Sequence, residues 1–375
     1  MIKTKPTNET RKRQHTTRST KAPPMDHCVA PPLNRQQLLA WLKETDPSRL
    51  ALLWTSADRI RHEHVGDAVH LRGLVEISNY CRRACGYCGI RAENQQIERY
   101  RMTHDEILSC AKQAINYGYG TVVLQAGEDL GLRATWVRDV IRSIKQLGVA
   151  VTLSLGERSS EELVMWKEAG ADRYLLRFET SSNALYEQIH PSLSHEQSDR
   201  LALLKSMREM GYEIGTGVMV GIPGQDWDSL ANDILTFESL DIDMLGVGPF
   251  IPHPATPLGQ ADIIASGEQV PATEDVVYRV IALSRIVCPE ANIPSTTALA
   301  TINKVNGREL GLIRGANIVM PNLTPVQYRV KYEIYPDKAC VNETAEECSR
   351  CLEARVASVG RSIGTGPGGR RRAVV

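Results

Sequence analysis

From Asn34 onward the chain alternates between short apolar runs and longer stretches whose apolar residues recur every three to four positions. Runs of strand length fall at 71–77, 121–125, 150–155, 174–178, 217–220, 244–250, 292–295 and 316–320. Helical patterns lie between them, and several have legible starts. Asn34 with Gln37 fits a capping box for a helix through Trp41, and a second helix is expected from Pro47 to about His64. Thr103 with Glu106 opens a helix over 107–116, and Ser159 with Glu162 opens one reaching Ala169. Further helices are expected at 136–146, 196–210, 227–240 and 274–287. Eight strands alternating with helices predict an α/β protein with a (β/α)8 TIM-type barrel; a doubly wound open sheet is the second topology. Either one gathers the chemistry at the C-terminal ends of the strands.

Residues 1–32 show no such period. They are polar, basic and punctuated by proline, and read as a disordered tail, with an organelle transit peptide as the functional alternative. The expected organisation is therefore a basic tail over 1–32, a barrel over 33–339 and a C-terminal extension over 340–375. Composition excludes wholesale disorder, since 42% of the 375 residues are apolar. No apolar run is long enough to span a membrane, and the start lacks the apolar core of a secretory signal. A cytoplasmic protein is expected, organelle targeting by the tail being the alternative.

The net charge of zero hides a division. Residues 1–32 carry a surplus of five positive charges and residues 352–375 a surplus of four, leaving 32 basic against 41 acidic side chains between them. An acidic body argues against nucleic acid as a partner.

Nine cysteines alter the picture more, because six are clustered. Cys81, Cys85 and Cys88 directly follow the first predicted strand, and Cys340, Cys348 and Cys351 form a second group. Clusters in a chain without an export signal point to metal rather than disulfides. Three thiolates within eight residues can grip one side of a 4Fe–4S cluster, which normally takes four ligands, so one iron stays open to bind another molecule. A structural zinc is the alternative, though a closed site would need a fourth ligand nearby.

The CxxxCxxC motif, with Tyr87 before its last cysteine, resembles the signature of the radical S-adenosylmethionine enzymes. That resemblance implies that Cys81, Cys85 and Cys88 hold the cluster, that its open iron chelates the methionyl amine and carboxylate, and that Tyr87 lies against the adenine. Gln125-Ala126-Gly127-Glu128 resembles the family's glycine-rich segment, which implies that backbone and acid meet the methionyl ammonium; Ala126 replaces its first glycine. Arg177 and Glu179 alternate onto one face at the end of the fourth predicted strand. They are either a buried ion pair or the groups that position the cofactor's carboxylate and ammonium, with Arg200 as a second carboxylate clamp. The segment 217–225, GVMVGIPGQ, resembles the family's fifth-strand segment, where backbone at Gly221 would approach the adenine.

Over residues 34–360 the set YCGIR, LQAGED, RFETS, VGIPGQ, GVGPFIPHPATPL and STTALAT resembles the FeFe-hydrogenase maturase family HydE. Membership implies S-adenosylmethionine cleavage to a 5′-deoxyadenosyl radical in assembly of the hydrogenase di-iron subcluster and its dithiomethylamine bridge. It further implies an iron–carbonyl–cyanide–cysteine synthon as substrate, other maturases as partners, a flavodoxin or ferredoxin as electron donor, and a monomer. Phe178 stands where some relatives carry His. A methylornithine-synthase-like mutase is the alternative. Biotin synthase fits less well, because Cys110 and Cys288 lie in and just after helix patterns, not on strands where an auxiliary cluster would be held.

Thr296 and Thr297 end the seventh predicted strand and can donate hydrogen bonds to a thiolate, carboxylate or cyanide. Tyr328, Arg329 and Tyr332 are candidates to close the cavity, and His253 is a loop residue fixed between two prolines. Cys340, Cys348 and Cys351 match a triad found in some members of the family, which implies a possible second iron–sulfur cluster at the surface or an empty site.

Overall fold

The computed structural model describes residues 28–193, 198–261 and 268–370. Most of the basic N-terminal tail, the start of the helix expected at 196 and the last five residues lie outside the described residues.

Eight strands form one parallel sheet: β1 (Ala68–Ser78), β2 (Thr121–Ala126), β3 (Ala150–Ser154), β4 (Arg173–Leu175), β5 (Glu213–Val220), β6 (Met244–Pro249), β7 (Ile318–Val319) and β8 (Ser362–Ile363). The order runs β6-β5-β4-β3-β2-β1-β7, with β8 pairing β1. The run at 292–295 makes only isolated bridges and no continuous ladder, one to each neighbour, Met244 to Asn292 and Pro294 to Ile318. Those two bridges close the sheet into a barrel. Seven of the eight expected strands coincide with β1–β7, and the remaining one is this bridging segment.

The capping boxes at Asn34–Gln37, Thr103–Glu106 and Ser159–Glu162 all form, each satisfying free N–H groups at a helix start. The helix Glu274–Val287 is buried on every side. A helix buried all round needs cover on both faces. The barrel wall supplies one, and the N-terminal helices Arg35–Leu42 and Pro47–Val65 supply the other. Among the described residues no helix is long and apolar enough to cross a membrane.

The C-terminal tail was expected to lie outside the enzyme, and its described part does not. β8 pairs with the start of β1, and the chain then threads across the floor of the barrel. Arg72 donates to Gly368 O at 2.8 Å, Thr121 to Pro367 O at 2.9 Å and Asn292 to Gly368 O at 3.1 Å. A Cβ at Gly120 would stand 1.9 Å from Gly366 O, so only glycine admits this close approach. Arg361 pairs with Asp58, and Arg370 with Asp241 and Glu290. Part of the basic surplus thus neutralises acids of the body.

Candidate active site

The first cysteine loop leaves the C-terminal end of β1 and is laced from within. Asn79 donates to Glu98 O (2.9 Å) and Lys331 O (2.8 Å). Arg91 holds Cys85 O and Ala84 O, each at 3.0 Å, while Arg99 reaches Ile90 O (2.8 Å) and Arg91 O (2.7 Å). These side chains occupy the loop carbonyls and leave the thiols free to face inward. The Glu128 N–H donates to Cys81 Sγ at 3.4 Å. A Cβ at Gly127 would meet Tyr80 O at 2.3 Å and Cys81 Cβ at 2.8 Å, so the tip of β2 must be glycine to sit against the loop.

Burial pushes all three thiols up, Cys85 to about 12, and each neighbouring sulfur's charge pushes Cys85 and Cys88 further the same way. Bare thiols therefore stay protonated here, and only a strongly bonded cation would hold three thiolates together. Among the described residues no three His, Cys, Asp or Glu side chains are grouped to hold a single metal ion. Three converging thiols with an N–H donor fit an iron–sulfur cluster, which is wider than one ion.

Cys81 and Cys88 open onto a cavity of about 340 Å³ at the barrel's C-terminal mouth. It brings together Tyr87, Gln125, Gly127, Arg177, Glu179, Thr296 and Thr297, seven residues singled out from far apart in the chain. Arg177 and Glu179 share the cavity, with Arg177 Nε on Glu179 Oε2 at 3.1 Å. Strand alternation is not the reason, because β4 ends at Leu175 and Glu179 has a φ of +64°. Phe178 points the opposite way and packs on Phe237, ring centres 5.4 Å apart. Gln125 donates to the Tyr332 hydroxyl at 3.3 Å, and Thr296 to Val247 O at 3.1 Å.

A model of the radical SAM superfamily matches residues 75–236. The FeFe hydrogenase maturase subunit HydE of Thermotoga maritima is 46% identical over 85% of this chain and 89% of its own length. The chain belongs to the HydE family. A 3-methylornithine synthase of Methanosarcina acetivorans is 28% identical over 76% of this chain and 79% of its own. The crystal structure of methylornithine synthase PylB superposes with a TM-score of 0.74 at 23% identity, covering 88% of this chain and 94% of that one, which shows the shared fold.

Three expected cofactor residues of this HydE-family chain do not line the cavity. Glu128 turns away from it: Arg83 Nε takes one oxygen at 2.7 Å and the Glu157 N–H the other at 3.1 Å. Its backbone N–H meets Cys81 Sγ and its carboxylate meets the same loop through Arg83, and neither enters the cavity. Arg200 is engaged behind the wall by Glu157 (2.9 Å), the Arg177 carbonyl (2.7 Å) and His190 Nε2 (2.6 Å). Burial, with the charges of Arg200 and Arg83, pushes His190 down to about 3, so it stays neutral and accepts that bond. Gly221, at a φ of +82°, lies under Ala272, where an added Cβ would stand 2.3 Å from Ala272 Cα. Met219 and the β6 glycines Gly246 and Gly248 line the cavity in its place.

The closing candidates separate. Tyr332 lines the cavity, but Tyr328 stacks on Tyr100 at 4.7 Å and donates to Glu106 at 2.8 Å outside it. Arg329 is buried and gathers the carbonyls of Asn322, Thr324, Cys340 and Glu343. His253 packs under Gly89 and accepts the Ala255 N–H at 3.0 Å. Cys110 and Cys288 are buried away from the cavity.

Sequence reasoning missed a second polar pair in the cavity. Lys338 Nζ lies 2.7 Å from Glu76 Oε1, both buried, and Asn322 donates to Glu76 Oε2 at 3.0 Å. The available signal was an acid inside the apolar run LVEI of β1. Lys338 arrives on a loop that runs between Asp337 and Cys340, two non-glycine residues at positive φ, and nothing local announces it.

Cys340, Cys348 and Cys351 share a second pocket of about 320 Å³; Arg308, Lys338, Ala339 and Cys340 itself line both this pocket and the barrel cavity. Cys348 and Cys351 sit one turn apart on the helix Ala345–Ser358. Arg308 approaches Cys340 Sγ at 3.6 Å and Arg355 approaches Cys351 Sγ at 3.3 Å. The Cys348 hydrogen bond, and then Arg308, hold the Cys340 thiol down to about 6. Three thiols beside two cations form a donor set receptive to an iron–sulfur group.

Proposed function

We propose that this chain acts in the assembly of the FeFe-hydrogenase di-iron subcluster, on an iron-containing small molecule held inside the barrel. The observation that carries this reading is the cysteine loop at the end of β1, with two of its thiols opening onto a cavity of about 340 Å³ in the barrel mouth. Cys81, Cys85 and Cys88 would hold a 4Fe–4S cluster which, with S-adenosylmethionine bound, supplies a 5′-deoxyadenosyl radical.

The chain's own residues prepare the rest of the site. Arg177 and Glu179 present a guanidinium and a carboxylate side by side, which suits the carboxylate and ammonium of a methionyl group. Gly127 lets the β2 tip approach that group through backbone. Tyr87 offers an aromatic face beside the cysteines. Thr297, across the cavity, would orient the substrate through its hydroxyl. Thr296, expected as a donor, gives its one hydroxyl proton to Val247 O and can only accept. Leu74, Leu175 and Met320 give the cavity an apolar wall, which would disfavour water beside a radical. Glu128 and Arg200 act from outside the cavity, as an ion-paired brace beneath the cysteine loop and the β4 end. The second cysteine triad would hold an accessory iron–sulfur cluster, and the electron donor would be a flavodoxin or ferredoxin.

Anaerobic reconstitution tests this. The reduced protein should give a 4Fe–4S signal that changes on adding S-adenosylmethionine, release 5′-deoxyadenosine, and lose both in Cys85→Ser. Omitting the chain from a hydrogenase maturation mixture should abolish hydrogenase activity; full activity without it would overturn the reading. Turnover of a free amino acid without any hydrogenase component would favour the mutase.

A further inference from the structure

The carboxylate of Asp233 lies on the helix Trp227–Ser239, entirely buried and outside the cavity, yet it is bound to the chain that carries Glu179. Its Oδ1 accepts both the Ser181 N–H and the Ser181 hydroxyl, each at 2.6 Å. Its Oδ2 faces Gln225 Nε2 at 3.5 Å. Gln225, also fully buried, accepts the Gly221 N–H at 2.6 Å and donates to Met219 O at 3.0 Å. One carboxylate and one amide therefore tie together the ends of the fourth and fifth barrel positions.

What they hold needs holding. Glu179 has a φ of +64°, and the Thr180 N–H donates across it to Phe178 O at 2.8 Å. This is the left-handed form of the γ-turn, which is rare and strained. A left-handed, β-carbon-bearing residue persists only where its surroundings over-determine it, and such residues gather at functional sites. The turn swings the Glu179 carboxylate into the cavity after Phe178 has pointed outward. On its inner side it is pinned by the Glu179 N–H to Gly217 O (3.0 Å) and the Met219 N–H to Glu179 O (3.2 Å). On its outer side Asp233 grips the residues that follow.

We propose that Asp233, seconded by Gln225, is a positioning residue for S-adenosylmethionine: it stabilises the left-handed turn that aims Glu179 into the cavity. The proposal rests on the reading that Glu179 meets the cofactor. A polar acceptor stands here rather than an apolar residue because the Ser181 N–H and hydroxyl, which share Oδ1, would otherwise lack a partner.

The test uses the reconstituted holoenzyme, and it measures iron per chain, the reduced-cluster spectrum without S-adenosylmethionine, and S-adenosylmethionine affinity. Asp233→Ala should keep its iron and its cofactor-free spectrum but bind S-adenosylmethionine at least tenfold more weakly. Asp233→Asn, which still accepts both Ser181 bonds, should recover to within threefold of the parent. Glu179→Gln separates the two layers. If it binds normally, the reading of Glu179 fails and the proposal falls with it. If Glu179→Gln is weakened while Asp233→Ala keeps its parental affinity, the brace alone is overturned. Should Asp233→Ala fail to fold, Ser181→Ala removes one of the two bonds; a threefold or greater loss of affinity supports the proposal and an unchanged affinity overturns it.

Discussion

Ending the chain after Gly360 removes β8 and the tail that crosses the barrel floor, and the cost can be worked bond by bond. Arg72 is fully buried, and burial together with repulsion from Arg173 pushes its pKa down to about 9. The one oxygen it bonds is Gly368 O at 2.8 Å, its other contact being Met244 Sδ at 2.7 Å. Arg173 loses Pro367 O at 3.2 Å but keeps Glu213 at 2.6 Å. Thr121 and Asn292 each lose a neutral acceptor. Bonds to charged donors contribute about 1.5–3 kcal/mol and neutral ones about 1. Water entering the opened floor returns part of that, leaving about 3–5 kcal/mol from these four bonds. Loss of the Arg361 and Arg370 ion pairs and of the β8 pairing makes this a lower bound. At roughly 2 °C per kcal/mol for a chain this size, the thermal midpoint should fall by roughly 5–10 °C or more. The assay is thermal unfolding of the anaerobic protein at fixed scan rate, with and without Arg72→Met. Removing the stranded charge should recover roughly 2 kcal/mol, or about 4 °C, in the shortened chain. A shortened chain within 1–2 °C of the full one, or an Arg72→Met variant that lowers it further, would refute the reasoning.

Other outcomes follow from single contacts. Gly127→Ala, whose Cβ would lie 2.3 Å from Tyr80 O, should displace the cysteine loop and lower bound iron and sulfide per chain, measured after reconstitution. Arg329→Met leaves four carbonyls, two of them buried, without this donor; the thermal midpoint should fall, and iron assayed in a Cys81→Ser background should drop. Burial pushes Asp233 up to about 7, above its ordinary value near 4. The folded chain then keeps a proton that the unfolded chain has lost, so this group's contribution to stability falls as pH rises from about 4 to about 7. Asp233→Asn should flatten that slope in midpoints recorded from pH 5.5 to 8; an unchanged slope would sink the assignment.

Much of the architecture was legible because it rests on local rules. Three capping boxes and seven strands could be read directly, since each depends on residues within a few positions of one another. The segment at 292–295 was harder, as an apolar run cannot say whether its neighbours lie close enough to make more than two bridges. β8 was missed for a different reason: Ser362–Ile363 is short, polar at its start, and paired only because the barrel floor lies beneath it. The helix holding Cys348 and Cys351 did carry a signal, Thr344 with Glu347, which forms a capping box.

By itself the sequence determined the chemistry available to this protein: three thiols on one loop, glycine where strand meets loop, and acids and bases near the strand ends. These depend on residue identity and spacing. Tertiary structure alone decided which groups face one another. Glu128 and Glu179 look equivalent as acids at strand ends, yet Arg83 draws one into the wall and a left-handed turn delivers the other to the cavity. Lys338 meets Glu76 across 262 positions of chain, and the basic end meets the barrel floor. Such pairings are set by closure of the barrel, which brings charges together irrespective of their distance along the chain, and burial then makes every unpartnered one costly.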